Sequence, residues 1–68
     1  MDLSNDSYVI SIAAKGWTER YYRDREGWVK ESTQGRKFRA TAEQVLNHVL
    51  PVLAGDKPDL SLAVEHRG

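Results

Sequence analysis

Apolar and polar residues alternate along four short stretches of this chain, then recur at helical spacing, then alternate once more. "SYVISIAA" (7–14) predicts a strand with Tyr8, Ile10 and Ile12 on one face and Val9 and Ser11 on the other. "KG" at 15–16 signals a tight turn. "WTERYYRD" resumes the extended pattern until "DREG" closes it with a glycine free to take positive φ. "WVKES", "TQG" and "RKFRA" then form the clearest hairpin in the chain.

The register of that hairpin follows from charge. A loop of Thr33, Gln34 and a left-handed, bulged Gly35 sets Glu31 opposite Lys37, Lys30 opposite Phe38, Val29 opposite Arg39 and Trp28 opposite Ala40. A two-residue loop would set Lys30 against Arg39, and like charges across a pair cost roughly a few tenths of a kcal/mol. The longer loop is preferred. Trp28, Phe38 and Ala40 then share one face, and Val29, Glu31, Lys37 and Arg39 the other. Treating Arg25, Glu26 and Gly27 as a loop of the same kind puts Tyr22 with Trp28 beneath the helix. It puts Tyr21, Arg23, Glu19 and Trp17 on the charged face. A four-residue loop exchanges the two tyrosines.

The helix is "TAEQVLNHVLPVLAG" (41–55). Thr41 with Gln44 three residues on makes a capping box, and Gly55 is the stop. Ala42, Val45, Leu46, Val49, Leu50 and Leu53 form one stripe, which predicts a fully packed Leu46. Pro51 cannot donate to the carbonyl of Asn47, so a kink there or an end near Leu50 is expected. "DLSLAVEHR" (59–67) reads as a last strand with Leu60, Leu62 and Val64 inward. The sum is an α+β fold, a small two-layer domain with an antiparallel or mixed β-sheet of about four to five strands packed by one α-helix, in the order β-β-β-β-α-β. Leu60, Leu62, Val64, Ile10, Ile12, Trp28, Phe38, the helix stripe and one tyrosine make the expected core. This order of elements resembles that of small antitoxin-like domains, with "EGWV" and "TAEQVL" in corresponding places; a shared order implies no function.

Composition narrows the picture. Sixty-eight residues, 40% apolar and 29% charged, make one globular domain over 1–68, with an ordered part of about 8–65 and fraying expected in the first seven and last three residues. There is no cysteine, so no disulfide or thiolate metal site stabilises so small a core, and pairing with another chain is a common remedy. The N-terminal "MDLSNDSYVI" lacks the basic and apolar regions of a leader, and no apolar run approaches the ~20 residues of a membrane span. A cytoplasmic protein without membrane association is expected.

Catalytic material is sparse. His48, which the stripe turns away from the sheet, and His66 share no motif, and no metal-ligand spacing exists. Asp24, Glu26, Glu19 and Glu31 read as solvated carboxylates near arginines. No enzyme, cofactor or metal is expected. Net charge is zero, but 15–39 holds eight basic and four acidic residues, against a net −4 elsewhere. Trp17, Tyr21, Arg23, Lys37 and Arg39 therefore form the expected interaction surface, on the sheet face that the helix leaves open. Tyrosine, tryptophan and arginine suit a protein hot spot and also stacking on unpaired bases. Glu19 and Glu31 on the same face favour a protein partner, or a second copy of the chain, because a groove tracking phosphates gains by lacking them. RNA or single-stranded DNA is the alternative.

Overall fold

The computed structural model describes residues 8–66. Strands β1 (Tyr8–Ala14), β2 (Trp17–Asp24), β3 (Gly27–Glu31) and β4 (Lys37–Ala40) are followed by helix α1 (Ala42–Leu53) and strand β5 (Ser61–His66). All pairings are antiparallel, in the order β4-β3-β2-β1-β5. The fold is thus a small α+β domain of five antiparallel strands and one helix, in the order β-β-β-β-α-β. The meander builds outward from β1 to one edge, and α1 returns the chain across the sheet to pair β5 on the free side of β1. Fraying of residues 1–7, 67 and 68 lies outside the described residues. His66, expected to fray with them, closes β5 and sets its ring edge-on to Tyr8 at 5.3 Å.

The β3–β4 hairpin has the register that charge predicts, from Trp28 opposite Ala40 to Glu31 opposite Lys37. Gly35, at φ 86°, donates its N–H to Ser32 at 2.9 Å, and Ser32 N–H reaches Arg36 at 2.8 Å, closing the bulged three-residue loop. The β2–β3 hairpin differs. Gly27, at φ 126°, is not the bulge of a three-residue loop but a ladder position opposite Asp24, so only Arg25 and Glu26 form the loop. The Asp24 carboxylate accepts the Glu26 N–H at 2.9 Å and shapes that tighter turn. One residue fewer in the loop reverses the parity of β2. Tyr21, opposite Lys30, therefore lies beneath the helix with Trp28, and Tyr22, opposite Val29, lies on the other face. Both are buried, at 3% and 8% exposure, so the outward-facing tyrosine is Tyr22 rather than Tyr21 and it is not exposed.

The capping box forms as read: Gln44 N–H donates to Thr41 Oγ1 at 3.1 Å and Thr41 N–H to Gln44 Oε1 at 2.8 Å. The helix continues through Pro51 to Leu53, and the carbonyl of Pro51 accepts from Asp56 at 3.0 Å in the exit turn. Its rotation is the larger surprise. Val45 and Val49 are buried and Val52 packs beside them, whereas Ala42, Leu46, Leu50 and Leu53 are exposed. The inward line is turned roughly 60° about the helix axis from the centre of the predicted stripe. Phe38 and Val64 share the helix-facing side of the sheet with the core yet are also exposed.

Width explains those exceptions. Five strands about 4.8 Å apart span roughly 19 Å, about twice the width of one helix. The helix packs on β3 and β5 but is too narrow to cover the whole sheet. Ile12, Tyr21, Val45 and Val49 form the centre, with Ile10, Trp17, Trp28, Ala40, Val52, Leu60 and Leu62 packed around them.

Candidate functional site

Rotation of α1 gives it two unlike flanks above the sheet. On one, Gln44 and His48 face Tyr21, Lys30, Phe38 and Ala40 across a cleft of about 390 Å³. The Tyr21 hydroxyl hydrogen-bonds His48 Nδ1, and the two rings meet edge to face with centroids 5.6 Å apart. Glu19 Oε1 stands 3.5 Å from the same nitrogen, while Glu19 Oε2 pairs with Lys30 Nζ at 3.2 Å. Burial first, and the Glu19 charge second, push the Tyr21 phenol up to about 12. The hydroxyl thus stays un-ionised. This chain of contacts ties β2 and β3 to the middle of the helix and holds α1 in its rotated seat.

On the opposite flank lie Leu46, Leu50 and Leu53, exposed by 51%, 53% and 64%. Leu46 borders an apolar groove of about 340 Å³ with Ile10, Trp28, Ala42, Val45 and Val49, and Arg23 also lines it. The Arg23 guanidinium sits 6.0 Å from the Trp28 ring centroid, within reach of a cation–π contact. Across the ladder from Ile10 stands Val64, 58% exposed on the edge strand. Leu50 shares with Leu46 a separate recess lined by Asn47, Pro51, Ala54 and Asp56, and Ile10 links the apolar groove to Val64 on the β5 edge.

The structure divides the surface expected from the sequence. Trp17, Tyr21 and Arg23 lie on the helix side of the sheet, with Trp17 packed against the core. Lys37 and Arg39 lie on the other side, both exposed. Loop parity is the reason, since the shorter β2–β3 loop carries all three β2 residues to the helix side. On the outer face Arg39 reaches across β3 to grip Asp24 through both guanidinium nitrogens, one contact measuring 2.9 Å. That pairing holds the Asp24 carboxyl well below the usual carboxylate range and raises the Arg39 guanidinium. Tyr22, Val29, Lys37 and Arg39 line a recess beneath this ion pair.

Sequence reasoning missed His48 and its partners Glu19 and Lys30. A signal was present: His48 lies one position before Val49 and three after Val45, close to the inward line once valines rather than leucines define it. Among the described residues no group of three or more histidines and carboxylates is placed to hold a metal ion, and no helix is long and apolar enough to cross a membrane. No family model, curated protein or solved structure matches the chain.

Proposed function

We propose that this chain is a non-catalytic protein-interaction module whose contact surface is the leucine flank of α1 together with Val64. The observation that carries the reading is a balance. Among the described residues six hydrophobic ones are buried, while six large ones, Tyr8, Phe38, Leu46, Leu50, Leu53 and Val64, are exposed. Four of the six are the three leucines of one helix flank and Val64 of the β5 edge, and large apolar side chains left exposed in this way mark an interaction site. A cytoplasmic setting belongs to the same reading.

Catalysis draws little support from the polar flank. The Tyr21 phenol is pushed up to about 12 and its hydroxyl is engaged with His48 Nδ1. RNA or single-stranded DNA draws less support than a protein, because Tyr21 and Tyr22 are buried, Arg39 is engaged by Asp24 and Lys30 by Glu19. The test is site-specific photo-crosslinking in the cells that make the protein. A photoreactive residue at Leu50 should give a discrete protein adduct, and one at Arg36 in the β3–β4 turn should not. Absence of any adduct from positions 46, 50 and 53 would remove the proposal.

A further inference from the structure

We infer that the partner on the leucine flank is a second copy of this chain, joined through antiparallel pairing of the two β5 edges about a two-fold axis at Ala63. The inference rests on the interaction reading above and adds the identity and register of the partner. Its ground is a difference between the two sheet edges. The β4 edge carries Lys37 and Arg39 around Phe38, the kind of charged edge that discourages strand addition. The β5 edge, "SLAVEH", has no lysine, arginine or proline, keeps an unbroken register with β1, and is exposed at every residue except half-buried Leu62.

Opposed residues of an antiparallel pair share a face, which leaves few symmetric registers. Centring on Val64 would set Leu62 against the partner's His66 and Ala63 against the partner's Glu65, apolar against polar. Centring on Leu62 would pair only Ser61 to Ala63 within the strand. Centring on Ala63 pairs 61–65 with Leu62 opposite the partner's Val64, twice over, on the helix side. On the outer side it sets Ala63 against itself and Ser61 against the partner's Glu65. No like charges oppose, and a chain of zero net charge meets its copy without overall repulsion. Two five-stranded sheets become one continuous sheet. Both helices lie on one side of it, and their leucine flanks gain cover beside the joint. The arrangement is isologous, so each copy contributes the same surface and the assembly closes at two.

The chain contains no cysteine, so single introduced thiols report the register directly. Opposed residues lie about 4.5–5.5 Å apart at Cα, within disulfide reach. Under mild oxidation Ala63→Cys should form a linked dimer at least ~10-fold faster than Glu65→Cys, whose own copy stands roughly 13 Å away along the strand. A mixture of Ser61→Cys and Glu65→Cys chains should give the mixed disulfide. Sedimentation equilibrium of the unmodified chain should approach twice 7.7 kDa at high concentration. A dimer mass with equal linkage rates at 63 and 65 overturns the β5 joint while leaving the leucine flank as the interface. A monomer mass at every concentration overturns the second copy. In that case a crosslink at Leu50 to a chain of different mass preserves the interaction reading, and no crosslink removes both.

Discussion

The two flanks of α1 belong to one helix over one sheet, yet they solve opposite problems. The His48 flank is short of apolar surface and well supplied with partners: a phenol and a carboxylate meet at one imidazole nitrogen, and an ammonium group pairs with the carboxylate. The Leu50 flank is rich in apolar surface and short of partners. Had the helix rolled by roughly 60° to bury its leucines, His48 would have left Tyr21 and Glu19 behind. A buried phenol without a hydrogen bond costs about 1–3 kcal/mol, which favours the rotation that keeps the polar flank satisfied. The leucines are left exposed, and the comparison teaches that apolar periodicity in a small domain can describe an interface as readily as a core.

The sharpest way to break this comparison is to truncate neighbours on the two sides of the inward line. Ile12, fully buried beneath the helix, sets the scale: Ile12→Ala should cost about 2–5 kcal/mol. Val49→Ala should cost about 2 kcal/mol in urea melts, from lost burial and a partly unfilled cavity. Leu50→Ala removes a larger side chain yet should cost less than ~1 kcal/mol at protein concentrations low enough to keep the chain monomeric. The reverse ranking would place the leucines in the monomer core.

A second comparison probes the polar flank alone. Tyr21→Phe keeps the ring and removes its bond to His48, for an expected loss of about 0.5–1.5 kcal/mol at neutral pH. Because the folded phenol is raised to about 12, its contribution is fully present below the ordinary tyrosine value near 10 and disappears as pH rises towards 12. The parent should therefore lose stability more steeply than Tyr21→Phe across that alkaline window. Parallel slopes in urea melts at several pH values would contradict the account.

Much of the fold was legible. Gly35, the opposed charges of Glu31 and Lys37, and the Thr41–Gln44 pair each act within a few residues, so sequence alone carries their geometry. The division of Tyr21 and Tyr22 between the faces was legible too, but not its sense, because that hinged on whether Gly27 joins the loop or the ladder. The five-residue surface was misread for the same reason. The rotation of α1 was beyond pattern reading: a stripe of valines and leucines does not say which line will meet the sheet. The decision came from Tyr21, Glu19 and His48, brought together by a fold that separates them by up to 29 positions in sequence.

The smallest expected effect concerns the outer face, away from both flanks. Asp24 is depressed by Arg39, so its contribution is present above the ordinary aspartate range near 4 and is lost as pH falls below it. Asp24→Asn should slightly flatten the acid limb of the stability profile, and salt should shrink the difference, because the pair is exposed. An unchanged acid limb would leave that ion pair without energetic weight.

The central claim is that the leucine flank is bare in the monomer and covered in an assembly of two. Urea melts of the parent and of a Leu46→Gln/Leu50→Gln double variant, repeated across a wide range of protein concentration, test it most directly. The account predicts a parent midpoint that rises with concentration, a variant midpoint that does not, and convergence of the two on dilution. A variant weaker than its parent by several kcal/mol at every concentration, with neither midpoint moving, would contradict it.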